Sequence, residues 1–584
     1  MSVSRDIPTQ DATDLSTFRI FVEGDEVSTK YSVASIVVHK RVNKVPTAEL
    51  LLLDGSVAEG DFKTSSSSVF NPGKEVVIKL GYHQKEDVVF KGIVVRHGIR
   101  ASAKKPSLLM LELKDKSVKL TTARKNAYFA DVTDSDVIEK IIDDAGGLTK
   151  DVTSTSGSHA EMIQYYSTDW DFMVSRADVN GMLVLVDDGK ITVKKPQVKS
   201  SPLITVAYGS NVYEFEAQID ARDQYSSVSS SAWDPSQQAM VTEDGSATVT
   251  GAGKISADEL ADVLGTEYTL QHTGNLTSAE LRAWANAKVL RSKLAKIQGR
   301  VKIIGFSDIK PGDTIRIEDF GDNFNGNVFV SEVAHQYSAT NAWYTDIQFG
   351  LSQEWFAHQY KDIVERPAAG LLPGIRGLHI AVVTQIEDDP DSEFRVKVRI
   401  PVISADDEGS WARIATLDAG NARGSFFRPE VDDEVVVGFL NDDPRSPVIL
   451  GCLHSSSLAA PLTPTSDNYQ KGFFTRENIQ LLFDDEKKSV TIKTPGDNSI
   501  VIDDDAKSII LKDQNNNKIE MSDKGIIIES GADISLKASS GDIKVEGMNI
   551  TLSADSQFKA EGSAGAELST SANAVVKGSI VQIN

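Results

Sequence analysis

The sequence predicts a mainly β protein in three parts: a large N-terminal part with two related β-barrels and a few helices, a small closed barrel, and a C-terminal intertwined β-helix or prism made by three chains. Two observations carry this prediction. Short apolar or alternating runs, separated by Gly, Pro, Ser and Asp, recur along most of the chain. The C-terminal region repeats with a period of eight residues.

The composition is that of a soluble globular protein, with 584 residues and 40% hydrophobic content. We find no apolar run long enough for a membrane span and no apolar signal core near the polar N-terminus. We therefore expect a protein made in the cytoplasm that does not leave through a cleaved signal. The net charge of −23 argues against a protein that coats nucleic acid. The single cysteine, Cys452, excludes an internal disulfide framework.

Residues 1–364 form the first predicted domain. Runs such as FRIFV, SIVVHK, AELLLL and EVVIKL predict strands between residues 17 and 120. Residues 223–254, rich in Ser, Asp, Gly and Thr, are interpreted as an excursion or a further strand region. The predicted helices are residues 135–145 with Thr133 or Asp134 as N-cap, residues 169–180 with Thr168 as N-cap, and a helix that starts with the capping box Thr277-x-x-Glu280.

Two turns in this domain share one layout. Pro72-Gly73-Lys74-x-Val76-x-Ile78 matches Pro311-Gly312-Asp313-x-Ile315-x-Ile317, and each is followed by an apolar strand. This likeness predicts two related barrels in one chain. In a trimer they would make a ring of six similar units, so a threefold object could dock on a sixfold tube.

A linker over residues 365–376 precedes the second domain, which we place at 377–454. Five or six short strands with Gly and Asp turns in this length match a small barrel such as the OB-fold. Residues 455–475 form a second predicted linker.

The third domain, residues 476–584, carries pairs of apolar residues two positions apart. From Ile526 to Ala574 the pairs begin at 526, 534, 543, 550, 558, 566 and 574, so six steps cover 48 residues. Eight residues hold one short strand and a tight turn. Upstream the pattern continues with looser spacing, from Val490 to Met521.

One such strand has an apolar side and nothing of its own chain opposite, so we predict that three chains close a triangular prism. An ordinary antiparallel meander and a disordered, low-complexity tail are the alternatives. The predicted trimer core is Ile526, Ile528, Ile534, Leu536, Ile543, Val545, Ile550 and Leu552.

The second domain resembles a known family. Phe394 to Ile400, Ser410 to Ala415, the pattern Phe427-x-Pro429-x-Val431-x-Asp433 and Asp442 to Gly451 are similar to the OB-barrel signature of VgrG proteins. These are the spike proteins of type VI secretion systems and of phage-tail-like contractile injection particles. The N-terminal domain, including Asp169-Trp170-Asp171-Phe172, is similar to the hub half of that family and to phage late control protein D.

The resemblance implies a homotrimeric central spike with no enzymatic activity of its own. It implies as partners a hexameric inner tube protein, baseplate proteins, effector cargo, a target membrane pierced transiently, and a PAAR-repeat protein that caps the tip. We expect Val581, Ile583 and Asn584 to contact that cap, because the shaft otherwise leaves strand edges exposed. The chain is then part of an injection particle that is delivered or released outside the cell.

The residues predict no catalytic, cofactor or metal site. Gly251-Ala-Gly253-Lys254 lacks the phosphate-loop spacing, because Thr248 and Ile255 stand where Gly and Ser or Thr are needed. The nine histidines are scattered, and the acidic runs lack the calcium-loop pattern. The alternative function is a trimeric polysaccharide-binding or polysaccharide-degrading protein like a phage tailspike. It is disfavoured because Phe558 is the only aromatic residue after Phe483.

Overall fold

The computed structural model describes residues 15–583. The chain forms two compact units. The first extends to Gly377 and includes Phe439–Ser446; the second comprises Leu378–Gly438 and the chain from Pro447 onward. No helix within the described residues is long and apolar enough to cross a membrane.

The first unit is mainly β, with helices between its strands. Its helices are α1 (Lys63–Ser66), α2 (Asp134–Ala145), α3 (Asp169–Val179), α4 (Ala257–Leu264), α5 (Ser278–Ala295) and α6 (Phe356–Gln359). Its strands are β1 (Ser16–Val22), β2 (Asp25–Glu26), β3 (Val33–Arg41), β4 (Thr47–Leu53), β5 (Glu75–Tyr82), β6 (Lys85–Arg100), β7 (Leu108–Lys114), β8 (Arg124–Thr133), β9 (Thr149–Val152), β10 (Ser158–Thr168), β11 (Leu183–Asp187), β12 (Lys190–Lys194), β13 (Thr205–Ala207), β14 (Val212–Ile219), β15 (Ser227–Asp234), β16 (Ala239–Asp244), β17 (Glu267–His272), β18 (Ile297–Ile304), β19 (Thr314–Glu318), β20 (Gly326–Ser338) and β21 (Ala342–Phe349).

Most of these strands belong to one sheet with two hydrophobic cores. The path β14-β18-β21-β20-β3-β4-β7-β6-β5-β1-β2 is continuous, and β19 with β13 extends from β20. Ile36, Leu50 and Ile78 lie in the core of the N-terminal half; Val301 and Ile347 lie in that of the other half. In place of the two predicted barrels, the described residues form one open sheet. Its two strand sets have separate cores and are joined where β3 pairs with β20.

The two Pro-Gly turns share one hydrogen-bonding pattern. Gly73 N–H donates to Val94 O at 2.8 Å, and Val94 N–H donates to Lys74 O at 3.0 Å. In the other half Gly312 N–H donates to Val330 O at 2.8 Å, and Val330 N–H donates to Asp313 O at 2.9 Å. Both glycines have positive φ, 94° and 96°, which favours glycine at this position.

The helix predictions are confirmed at their N-termini. Thr133 caps α2, Thr168 caps α3, and Thr277 forms a full capping box with Glu280 at α5. The prediction missed α4, although its capping box, Ser256 with Glu259, is visible in the sequence. Three smaller sheets complete the unit: β8 with β10, β9 with β11 and β12, and β15 with β16 and β17.

The second unit begins with a closed barrel, which confirms the predicted OB-type domain. Ala381, Val398, Ala412, Val435 and Ile449 are fully or almost fully buried inside it. The barrel order is β22-β23-β24-β28-β27. Its strands are β22 (His379–Gln385), β23 (Val396–Arg399), β24 (Ser410–Ile414), β27 (Glu434–Phe439) and β28 (Pro447–Cys452), with a small β25 (Ala419–Gly420) and β26 (Arg423–Gly424) hairpin.

The C-terminal region has two structurally different parts. The first is a seven-stranded antiparallel meander, in which every strand pairs with the next. Its first strand lies in the predicted 455–475 linker, so regular structure begins earlier than the sequence indicated. The strands are β29 (Gln470–Phe474), β30 (Gln480–Asp484), β31 (Ser489–Lys493), β32 (Ser499–Asp503), β33 (Ser508–Lys512), β34 (Lys518–Ser522) and β35 (Gly525–Glu529).

The second part, residues 530–583, pairs with no strand of its own chain. Straight segments alternate with bends, and the bends follow the period of eight. The bends lie at 531–532, 539–541, 548, 555–556, 563–564, 571–572 and 579–580.

Candidate functional site: the apolar face of the C-terminal region

The meander presents one apolar face made of two columns of side chains. In each five-residue strand from β30 to β35 the second and fourth positions point to this face, because side chains alternate across a strand. Antiparallel pairing places like positions opposite one another: Ile492 faces Ile500, and Ile500 faces Leu511. We call this surface the two-column face; it comprises Leu481, Phe483, Val490, Ile492, Ile500, Ile502, Ile509, Leu511, Ile519, Met521, Ile526 and Ile528, and Phe473 of β29 extends it.

None of these side chains is buried in the single chain. A continuous apolar surface of this extent is rare on a monomer and marks an interaction site. The sequence prediction contained the face from Val490 onward but missed Phe473, Leu481 and Phe483. The signal was present, since Leu481 and Phe483 are also spaced two apart.

The turns are polar, and the other face is mixed. Its strand centres carry the apolar residues Leu482, Val501, Ile510 and Ile527, whereas polar and charged residues stand at most of its other positions. Lys518 Nζ lies 2.9 Å from Glu520 Oε2 and 3.4 Å from Glu529 Oε2, and the hydrogen bonds that Lys518 donates to these carboxylates raise its pKa. Asp513 accepts the backbone N–H of Asn517 at 2.8 Å, and hydrogen bonding to Asn517 lowers the pKa of Asp513. The two-column face is therefore the more apolar of the two faces of the meander.

The apolar pairs continue beyond the meander, where the backbone N–H and C=O groups also lack hydrogen bonds to one another. In the straight segments after residue 532 the predicted core residues stand at the second and fourth positions, for example Ile534 and Leu536. Leu536 is 72% exposed. Within this described stretch, residues 530–583, no backbone N–H donates to a backbone carbonyl. Unpaired backbone groups and apolar pairs in one segment indicate a strand that lacks its partners.

The structure places all eight predicted core residues on exposed positions of this region. Ile526 and Ile528 lie on β35 at the end of the meander, and the other six lie in the unpaired repeats. Burial of these residues in a trimer stays a prediction. Of the predicted tip residues, Val581 and Ile583 are exposed, and Asn584 lies outside the described residues.

The family comparisons divide the chain in the same order as the structure. Residues 12–339 match the Alg8 N-terminal domain. Residues 379–454 match the type VI secretion system/phage-baseplate injector OB domain, and residues 489–584 match the phage baseplate V C-terminal trimerisation domain.

Curated relatives match a shorter stretch. The type VI secretion system spike protein VgrG5 of Pseudomonas aeruginosa is 36% identical over 118 residues, which are 19% of this chain and 14% of that protein. VgrG3 of Vibrio cholerae is 37% identical over 103 residues, which are 16% of this chain and 10% of that protein. The matches thus span only a small fraction of these relatives' length.

Solved structures show a distant likeness. A tail protein from Neisseria meningitidis has 15% identity and a TM-score of 0.43, with 58% of this chain and 98% of that chain covered. The Francisella PdpA-VgrG complex has 9% identity and a TM-score of 0.40, with 90% and 81% covered. The first family match alone covers more than half of the 584 residues. The chain therefore belongs to the family of the Alg8 N-terminal domain; it also carries a type VI secretion system/phage-baseplate injector OB domain and a phage baseplate V trimerisation domain, and it is locally similar to VgrG spike proteins.

Proposed function

We propose that three copies of this chain form the central spike, with the two-column face and the eight-residue repeats closed around one axis. The observation that carries this proposal is residues 530–583, where exposed apolar pairs and unpaired backbone occur together. Three copies can each add one strand to a triangular layer. This arrangement buries the apolar side chains and lets the backbone N–H and C=O groups form hydrogen bonds with strands of other copies. The match of residues 489–584 to a trimerisation domain supports a trimer over a dimer.

The proposed shaft has a physical reason to be stiff. Burial of one Ile or Leu side chain contributes about 1.5–3 kcal/mol, and each inward position is filled three times. Every layer also pairs its backbone with the layers above and below. Bending the shaft would separate these contacts in many layers at once, so the assembly transmits an axial push.

The N-terminal unit forms the hub in this proposal. Its two related halves, with matching turns at Gly73 and Gly312, give six similar units in a trimer. This number matches a hexameric inner tube, which we propose as the docking partner within a baseplate. The spike is made in the cytoplasm and leaves it as part of the particle.

We propose that Val581, Ile583 and Asn584 bind a PAAR-repeat cap and that the shaft formed by the repeats pierces the target membrane. Effector cargo travels with the spike; one similar solved structure is a complex of VgrG with PdpA. The chain acts mechanically and not as an enzyme, in agreement with relatives named as spike proteins.

The solution mass of the purified chain tests the trimer. Three copies of a 63.3 kDa chain give about 190 kDa. A variant that ends at Glu529 keeps the meander and lacks the unpaired repeats, so we expect its trimer to dissociate at concentrations at which the full-length trimer persists. A monomeric full-length chain would contradict the proposal. An equally stable trimer of the shortened chain would place the trimer contacts outside the repeats.

A further inference from the structure

The N-terminal unit carries a second unpartnered surface, far from the repeats in sequence. Strands β8 and β10 form a two-stranded antiparallel ribbon that no third strand joins within the described residues. One face of the ribbon is buried: Phe129 and Met162 lie in a hydrophobic core with Ile138 and Trp170. An isolated two-stranded ribbon is only marginally stable, so this packing holds it in place.

The opposite face is aromatic and exposed. Tyr128 of β8 is 87% exposed and stands directly opposite Ile163 of β10, which is also exposed. Tyr165, two residues further along β10, is 74% exposed. We call Tyr128, Ile163, Tyr165 and the adjacent Tyr166 the tyrosine face. Tyrosine contributes a large apolar area with a polar tip and is enriched in protein interfaces.

A β-bulge holds the end of this face in shape. The pairing shifts between Gln164 and Ser167, and Tyr166 takes a φ of +39°, which is unusual for a bulky residue. Its N–H donates to Asn126 Oδ1 at 2.7 Å, and its carbonyl accepts from the Arg124 guanidinium at 2.8 Å. A regular strand would point Tyr165 and Tyr166 to opposite faces. The bulge leaves both exposed, so the strained conformation builds a preformed surface.

The size of the tyrosine face indicates what covers it. Aromatic side chains bury about 150–250 Å² each, so the face supplies on the order of 500 Å². A stable interface between independent proteins needs about 800 Å² per partner. The face therefore suits a partner that another contact already holds nearby, since tethering raises the effective concentration. The trimerisation domain at residues 489–584 supplies such a tether between copies of this chain.

We propose that the tyrosine face docks on the N-terminal unit of a neighbouring copy within the trimer. This inference rests on the trimer of the proposed function. In a cyclic trimer the contact is heterologous, so the ribbon meets a different surface of its neighbour and not its own counterpart.

Site-specific photo-cross-linking on the purified full-length chain tests this contact. A benzophenone amino acid replaces Tyr165 in one variant and Tyr208 in a control; Tyr208 is 71% exposed on the same unit. We expect the Tyr165 position to link two copies in a sample with trimeric mass, and the Tyr208 position to give at least tenfold less product. Mass spectrometry of the linked peptides identifies the neighbour's surface.

The outcomes separate this inference from the trimer itself. A trimeric mass without a link from Tyr165, or equal links from both positions, overturns the docking but not the spike. A monomeric mass overturns both. As a second measurement, Tyr128→Ser with Tyr165→Ser should keep the trimeric mass while amide exchange over residues 158–168 becomes faster; unchanged exchange contradicts the proposal.

Discussion

The substitution Leu536→Asp tests the prism most directly. Leu536 is 72% exposed in the single chain, so most of its burial must come from the other copies. Loss of that burial costs about 2 kcal/mol per chain, or about 6 kcal/mol per trimer. This alone weakens the association constant by roughly four orders of magnitude, at about 1.4 kcal/mol per tenfold change.

Repulsion between the new carboxylates adds to this loss. Two charges about 6 Å apart repel by roughly 3 kcal/mol at an effective dielectric constant of about 20, and three copies make three such pairs. The carboxylates can lower this cost by binding protons. We therefore expect the trimer to be lost at pH 7 and to recover in part near pH 4.

Native mass spectrometry and light scattering at micromolar concentration measure the result. Ser535→Asp is the matched control, because it adds the same charge one position away and on the opposite face of the segment. We expect this control to remain trimeric. A trimeric Leu536→Asp variant, or equal dissociation of the control, would refute an apolar axis at this position.

Three further predictions concern the N-terminal unit, with urea unfolding followed by tryptophan fluorescence as the measurement. Burial lowers the pKa of His335 to about 3, so the unfolded chain binds a proton that the folded chain does not. The free energy of unfolding should therefore fall as the pH decreases from about 6.5 toward 3. His335→Asn should make the free energy of unfolding depend less on pH in this range; an unchanged pH dependence would rule out His335 as its source. Lys40 is 3% exposed and donates to Asp187 at 2.5 Å, so Lys40→Met should destabilise by about 3 kcal/mol; a neutral effect would mean that Lys310 alone satisfies Asp187. Thr277→Ala removes the N-cap of α5 and should cost about 1 kcal/mol, whereas Thr277→Ser should cost much less.

Much of the N-terminal unit could be predicted from local sequence. The caps at Thr133, Thr168 and Thr277 are short-range hydrogen bonds between residues three apart, so their pattern is readable directly. The shared layout of the Pro-Gly turns before Val76 and Ile315 could be read for the same reason, and the structure gives both turns the same hydrogen bonds. The pairing of β3 with β20 joins residues about three hundred positions apart, and the sequence of neither strand predicts which strand it pairs with.

The tyrosine face shows a different limit. Tyr128, Ile163 and Tyr165 carry no shared motif in the sequence, and alternation alone would assign Tyr165 and Tyr166 to opposite faces. The bulge depends on Asn126 and Arg124, which approach only after the ribbon has formed. The exposure of the tyrosine face therefore depends on the tertiary structure.

For the C-terminal region, the sequence by itself determined the period and the inward positions, because a strand alternates its faces whatever it pairs with. Only the tertiary structure decided where the chain pairs with itself. In the meander, turn residues such as Lys488, Asp497 and Asn516 adopt positive φ, which tight hairpins favour. After Gly525 no described residue does so. The strands beyond it do not fold back on their own chain, and their pairing is left to other copies.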